Sequence, residues 1–559
     1  MIGLLDQIPS TYKTSIIDQP FMIDHQVLSK QTIAVSFIDA NGNIVASQDY
    51  ALLTEEDIYQ RLLSDTEVDF NHCYVSGLSL STFRMRQNME NTDPVILRNF
   101  NAHRAFFESD STTDFSGAEF QGNVQFDNAT FGSGHINFNK CLFKEGDVDF
   151  SRVYFGKGSV DFRFAEFGKG TATFESAIFQ GGNVFFVNAL FKEGKVSFRN
   201  TNFGTGDTDF HFSRFRKGGI SFDKAVFRGK RINFGKCEFG EGKADFRRCD
   251  FGDGEVIFSE SEFGKGKINF TSTLYGRGAV FFDRVDFGPN EVLFERATFG
   301  QGKLSFLRAK AKRITLTAAT LNGYADLRVA KAQVIDLSYA VVRDLVDFQP
   351  GEAAVDVKLL YLKRMRNLGR LNLDYQLNGI DRLIGEQPDT TAAQKAEQYR
   401  LLKEDLRTSG QYIDEDKVYV LFKRSELKAW KEQKLKERSL NALWVYPSMG
   451  FQWLVFDKMG LFATDPLRVL SSSIFVYIVF SILYVLVILG GGGDIVASVP
   501  DEVSLVGKSF YHSAITFLTI GYGDHFPQGH VRWISSVEGW IGLFLMSYFT
   551  VAFVRKILR

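Results

Sequence analysis

Aromatic side chains recur through the middle of the chain with a period that can be counted. Phe stands at every twelfth position from Phe126 to Phe306, and a second series follows five residues behind, from Phe131 to Phe299, with Tyr275 its only substitution. Two residues before each second-series aromatic stands a short side chain, as at Ala129, Cys141, Val153, Ala165, Ser213, Cys237, Cys249 and Ala297. Many repeats continue Gly-x-Gly, as at Gly156/Gly158 and Gly264/Gly266. Such a register belongs to a solenoid, whose units bury their apolar faces only by stacking on neighbours. Phe and the small residues share one interior layer, and the glycines are expected at the tight corners. A twelve-residue coil is too narrow for two Phe rings, so two repeats form one coil of about 24 residues, rising about 4.8 Å at strand spacing. Farther on the pattern shortens to roughly five-residue steps: Leu316, Leu321, Leu327, Ala332, Leu337 and Val342.

The flanks follow other rhythms. Residues 1–110 carry alternating stretches such as Thr32-Ile33-Ala34-Val35-Ser36-Phe37-Ile38 and the turn Asn41-Gly42-Asn43, which predict a small β-rich cap. Residues 346–462 turn to helix formers. Ala393 to Thr408 sets Ala396, Tyr399, Leu402 and Leu406 on one face and stops at Ser409-Gly410; Lys417 to Arg438 sets Val418, Leu421, Phe422, Leu427 and Trp430 among Lys and Arg. A helical hairpin is therefore expected after the solenoid at 111–345. Trp444, Tyr446, Phe451 and Trp453 then supply aromatics favoured at a water–lipid boundary. Val469 to Leu489 is uncharged and long enough to cross a bilayer, and Trp533 to Val554 makes a second crossing in which Glu538 is the only acidic or basic side chain. A last domain is placed at 463–559, with crossings at 467–489 and 532–555 and a short pore helix at 509–518.

Between the crossings lies Thr519-Ile520-Gly521-Tyr522-Gly523-Asp524. Successive backbone carbonyls replace an ion's water only where no side chain obstructs the axis; Gly521 and Gly523 supply that freedom, and Thr519 adds a hydroxyl at the inner end. Lipid tolerates irregular backbone only where protein buries it or it lines a cavity. These six residues complete the signature Thr-Val/Ile-Gly-Tyr-Gly-Asp, and over residues 463–559 the chain resembles the two-transmembrane potassium channel family. The resemblance implies a selectivity filter at 519–524, with permeant potassium coordinated at Thr519, Ile520, Gly521 and Tyr522, the carbonyl of Gly523 beyond them, and no other cofactor. It implies filter support and an outer mouth from Asp524, Tyr511 and Glu538, an inner-helix hinge at Gly542 in competition with simple helix packing, and a homotetramer. Leu518 stands where many relatives carry a second Thr. Ala325-Asp326-Leu327 in turn resembles the pentapeptide-repeat proteins, which form a right-handed, four-sided β-helix, although their spacing is not twelve. The expected fold is thus mixed: a right-handed β-helix, an α-helical linker and a two-helix transmembrane pore.

Composition refines this picture. With 559 residues the chain exceeds one core. Its net charge of −1 gives no push toward nucleic acid, and the 23 acidic against 28 basic residues from Gln121 to Lys310 argue against an acidic DNA mimic. The 56 Phe and 50 Gly against 10 Pro express the solenoid's demand. Four scattered Cys form neither a disulfide framework nor a zinc site. No phosphate loop, metal spacing or nucleophile motif marks an enzyme, and no array of Arg or Lys at three-residue spacing marks a voltage sensor. His512 and His525 flank the filter and belong to the residue type that titrates near neutral pH.

Met1 to Ser10 has no secretory pattern, basic ends fall at Arg468, Arg555, Lys556 and Arg559, and the loop between the crossings carries Asp494, Asp501 and Glu502. Both termini are therefore expected in the cytoplasm, on a multi-pass protein of the plasma (cell inner) membrane. The reading is a potassium channel whose cytoplasmic solenoid regulates or assembles it, with the lipid bilayer and a cytoplasmic protein or small-molecule ligand of the solenoid as partners. The alternative is a membrane-anchored scaffold whose solenoid binds a protein. Topology is directly checkable: a cysteine placed at Ser498 is expected to react with an impermeant thiol reagent outside cells and one placed at Ser439 is not, and labelling of both would reverse the orientation.

Overall fold

The computed structural model describes residues 9, 11–64, 66–109, 111–351, 355–436, 445–499 and 502–558. Trp444, Asp501, Arg559, Ser439 and nearly all of the Met1 to Ser10 segment lie outside the described residues. Contacts divide the chain into two compact units, residues 1–387 and 388–559.

The first unit is a parallel β-solenoid of about 13 turns over residues 51–372. Its coil has four sides. Val124–Gln125, Thr130–Phe131, Ile136–Asn137 and Leu142–Phe143 each pair in parallel with the segment 24 residues on, as in Phe131 with Phe155 and Phe143 with Phe167. Two twelve-residue repeats therefore make one coil. First-series rings stack in columns, Phe126 on Phe150 at 4.8 Å and Phe138 on Phe162 at 4.8 Å, and the two columns meet edge to face, Phe126 against Phe138 at 85°. Both geometries are those aromatic quadrupoles favour. Past residue 300 the coil shortens, with Ser305 pairing Asp326 and Ala311 pairing Ala332, as the five-residue steps require. Leu316, Leu321, Leu327, Ala332, Leu337 and Val342 are all buried, consistent with the pentapeptide-repeat resemblance.

The corners are of two kinds: one carries the expected Gly-x-Gly glycines, Gly204 (φ 62°) and Gly252 (φ 57°) among them, and the other does not. The left-handed position recurs every twelve residues from Asn128 (φ 59°) to Arg308 (φ 59°), and none of these residues is glycine; even Phe164 and Phe212 occupy it. Left-handed backbone costs an L-residue about 1–2 kcal/mol, yet the residue keeps its coil-to-coil hydrogen bond, as Lys140 N donates to Arg163 O at 3.0 Å. The Gly-x-Gly glycines answer a different constraint, close approach. A Cβ on Gly158 would lie 1.9 Å from the Gly134 carbonyl oxygen, and one on Gly266 would lie 1.8 Å from that of Gly242. The small-residue series also does more than fill space. Cys141, Cys237 and Cys249 donate their thiols to the carbonyls of Phe115, Phe210 and Phe222, as Thr201 and Ser261 donate hydroxyls to Phe174 and Phe234. Burial pushes these three thiols well above their ordinary pKa, so they stay protonated donors.

Both solenoid boundaries move outward from 111–345. Thr11–Ile17, Thr32–Ile38 and Ile44–Leu52 form an antiparallel meander, and Ala51 then pairs in parallel with Cys73, so the coils begin well inside the expected 1–110 cap. The helices α1 (Glu55–Leu62) and α2 (Leu80–Arg86) interrupt these first coils, which breaks the aromatic spacing there. The antiparallel meander covers an edge that would otherwise expose unpaired strands. At the other end, Val357–Tyr361, Arg366–Asn367 and Arg370–Asn372 form a further coil in what was read as helical linker. Its apolar positions are aliphatic, which a helix pattern shares. The helices α3 (Tyr375–Asn378) and α4 (Ile380–Gly385) close that end: Asn378 Nδ2 donates to Phe348 O at 2.8 Å and Gln387 Nε2 to Leu360 O at 2.6 Å.

The second unit begins with the helical hairpin α5 (Ala392–Thr408) and α6 (Tyr412–Lys436), entered through a Thr391 capping box and turned at Gly410 (φ 76°). Helix α7 (Val445–Gln452) leads into a π-helical segment, Trp453–Lys458, and a tight turn, Leu461–Ala463. Then come α8 (Pro466–Leu489), α9 (Leu505–Phe517) and α10 (Val531–Ile557). α8 and α10 are long and apolar enough to cross a membrane.

The solenoid core is testable by substitution. Phe210→Ala removes a ring stacked between Phe186 and Phe234 and is expected to cost roughly 3–5 kcal/mol. Gly266→Ala is expected to destabilise as a backbone clash, while Lys265→Ala, outward and exposed, changes little. Thermal melts of the solenoid unit that rank Lys265→Ala as the most damaging would invalidate the inward register.

Candidate functional site

α9 is capped by Ser504, whose hydroxyl accepts the Gly507 N–H, and it ends at Phe517, where the chain leaves as a non-helical run through Asp524. Within that run Thr519, Gly521 and Gly523 have φ of 55°, 58° and 76°, while Ile520 and Tyr522 between them stay on the negative side. In an ordinary strand successive peptide groups face opposite ways; alternating hands turn them to one side. The N–H groups turn back toward the helix: Thr519 N donates to Thr516 O, and Ile520 N and Gly521 N both reach Ile515 O. Their carbonyls are left on the other side. Gly521 and Gly523 adopt this conformation freely, whereas a β-branched Thr519 is strained in it, and strain of this kind collects at functional sites. The Thr519 hydroxyl donates to Leu518 O at 2.7 Å.

The outer end of the run is clamped by both flanks. Ser498 Oγ donates to Gly523 O at 2.9 Å, and Ser498 N donates to Asp524 O at 2.7 Å. Tyr511, one helix up on α9, donates its hydroxyl to Asp524 Oδ2 at 2.7 Å, and His525 N donates to Oδ1 at 3.1 Å. The His525 ring stands 5.1 Å from the Tyr511 ring. The Tyr511 hydroxyl, first among the causes, holds the Asp524 carboxyl below the usual carboxylate range, and the same bond raises the Tyr511 phenol. The loop read from sequence as merely acidic contains a strand, Gly493–Ala497, antiparallel to His525–Gly529. Gly493 makes that approach possible, since a Cβ there would lie 2.2 Å from Gln528 O.

Glu538 lies where α8, α9 and α10 meet, bonded to Tyr484 and Ser513. It is fully buried, accepting from Tyr484 of α8 at 2.5 Å and from Ser513 of α9. Tyr484 also reaches Ser535 Oγ at 3.2 Å, and His512 Nε2 lies 2.8 Å from the same hydroxyl. One carboxyl group thus ties three helices together, in keeping with the rule that ionisable groups at membrane depth face the protein interior and are partnered. The sequence reading missed Tyr484, Ser513 and Ser535, whose signal was the presence of hydrogen-bonding side chains inside apolar spans. Gly542, expected either as a hinge or as a packing glycine, lies in helix α10 where a Cβ would come 2.1 Å from Phe517 O. It is a close-approach glycine that lets α10 lie against the end of α9. Leu518, Ile520 and Tyr522 remain exposed on the single chain, Tyr522 by 70%.

Residues 472–559, within the second unit, match the family described as "Ion channel". Protein LctB of Bacillus caldotenax is 27% identical over 109 residues, covering 19% of this chain and 75% of that protein. No solved structure matches the chain. The chain thus joins a parallel β-solenoid to a membrane segment that is similar to ion channels.

The Tyr511–Asp524 bond makes a pH prediction. A depressed carboxylate contributes at neutral pH and loses its contribution as pH falls through the lowered folded-state value. Tyr511→Phe is therefore expected to raise the pH at which Asp524 protonates, followed by NMR of the labelled carboxyl; an unchanged titration would mean the hydroxyl does not hold it.

Proposed function

We propose that this chain is one subunit of a potassium-selective channel, in which four copies bring residues 519–523 around a common axis. The observation that supports the reading is the alternation of backbone hand at Thr519, Gly521 and Gly523 at the end of a short helix, a conformation that favours consecutive carbonyls on one side. One such run cannot surround an ion, and four supply rings of oxygen whose number and field replace potassium's hydration. The exposed Leu518, Ile520 and Tyr522 favour further chains packing there. Potassium passes as cargo at Thr519, Ile520, Gly521 and Tyr522, the Ser498 bond to Gly523 O steadies the outer end, and the Glu538 cluster braces the run from behind. Both termini lie in the cytoplasm of a plasma membrane, where the solenoid regulates or assembles the channel.

Liposomes containing the purified chain are expected to pass potassium and rubidium far better than sodium. Barium, similar in size to potassium and doubly charged, is expected to block. Gly521 adopts φ 58°, so Gly521→Ala is expected to abolish selective flux through strain in the run while the chain stays folded and assembled by size-exclusion chromatography. Equal sodium and potassium flux in the wild type, or unchanged selectivity in the variant, would remove the filter assignment and favour the membrane-anchored scaffold.

A further inference from the structure

The last turn of α10 is basic and the first turn of α6 is acidic, and the two meet. Arg555 Nη2 lies 3.1 Å from Asp416 Oδ1 and 3.7 Å from Glu415 Oε1, and Lys556 Nζ lies 3.5 Å from Asp416 Oδ2. The Arg555 guanidinium also lies over the Tyr419 ring, 4.1 Å from its centroid. Each charge suits the helix end that carries it, acids at a helix start and bases at a helix finish. Glu415 and Asp416 are buried, 4% and 7% exposed, and the Arg555 side chain is 21% exposed. This is not a solvated surface pair of negligible worth.

Two turns farther along α6, Arg424 grips Asp457 with three contacts of 2.7 to 3.1 Å, and Asp457 is 6% exposed. Asp457 belongs to the π-helical segment just before α8. The same connector holds α10 from another side: Ala463 N donates to the Tyr548 hydroxyl at 2.9 Å, that hydroxyl donates to Phe456 O at 3.2 Å, and Gly460 has no room for a Cβ against the Tyr548 ring. One helix outside the two crossings therefore grips both the approach to the outer helix and the end of the inner helix. The charges at Arg555 and Lys556, which alone would read as an orientation signal facing lipid phosphates, are turned instead onto protein carboxylates.

We propose that Glu415, Asp416 and Tyr419 form a latch on the inner end of the pore-lining helix, through which the hairpin α5–α6 regulates conduction. The proposal rests on the channel reading given above. The hairpin follows the solenoid's closing helices directly in the chain, so a ligand or load that shifts the hairpin acts on α10 through this latch without passing through the filter. Coupling of this kind requires a two-state element that both sites bias, and the proposal assigns that part to the helix end held by Arg555.

The test uses the full chain reconstituted in liposomes, with rubidium uptake compared at equal amounts of assembled protein. Arg555→Glu, and separately Glu415→Arg with Asp416→Arg, are expected to change steady uptake on the order of tenfold. Combining all three substitutions restores the opposite-charge pairing and is expected to bring uptake back toward wild type. Tyr419→Phe keeps the ring and is expected to behave as wild type, whereas Tyr419→Leu is expected to follow the charge reversals. A second readout needs no flux: spin labels at Ile413 and Ile557, both exposed, are expected to give a distance distribution that broadens in Arg555→Glu and narrows again in the combined variant. If wild type passes no ion, the channel reading fails while the distances still decide whether the latch exists. Distances unmoved by Arg555→Glu would overturn the latch, and uptake unmoved in well-assembled variants would overturn its regulatory role.

Discussion

A peptide carbonyl withdrawn from water has to find a donor, and the two units of this chain meet that demand in opposite ways. In the solenoid each coil gives its N–H groups to the carbonyls of an adjacent coil, so that Phe126 N reaches Asp149 O and Phe138 N reaches Asp161 O at 2.7 Å. Even the left-handed corners keep the ladder, and Cys, Ser and Thr of the small-residue series add donors from inside. At Thr519 to Gly521 the N–H groups are turned back onto α9, so the carbonyls across the same peptide planes face away from it. Such backbone is sustainable at membrane depth only where a cavity or a neighbouring chain receives it. A desolvated cation is a receiver that matches the chemistry.

Holding that conformation needs support on every side, and the structure supplies it with polar side chains that would be costly if unpaired. Ser498 and Tyr511 hold the outer end, the Glu538 cluster joins α8, α9 and α10, and Gly542 lets α10 approach the carbonyl of Phe517. Strain at Thr519 is held in place by this surrounding network.

The repeat, the coil length, the two long apolar helices and the short helix before Thr519 were legible because each is a periodic or compositional signal. Phe126 to Phe306 announce their own register, and the pairing of Phe131 with Phe155 follows from it. What escaped was set by contacts distant in sequence. The first and last coils lack the aromatic period, so Cys73–Ser76 and Val357–Tyr361 read as cap and linker. Glycine at a corner suggested positive φ, whereas Gly266 is demanded by the carbonyl of Gly242 one coil away. Tyr484 and Ser535 looked like minor polar residues in apolar spans until α8 and α10 brought them to Glu538. The acidic pair Glu415 and Asp416 looked like a solvated helix start until Arg555, 139 positions from Asp416, closed on it.

The most direct measurement is a structure of the full chain in lipid nanodiscs, determined in rubidium or thallium to mark ion positions. The account requires four chains around one axis with ion density between the carbonyls of Thr519, Ile520, Gly521 and Tyr522. Chains that do not share an axis at these residues, or an axis without ions between their carbonyls, would contradict it.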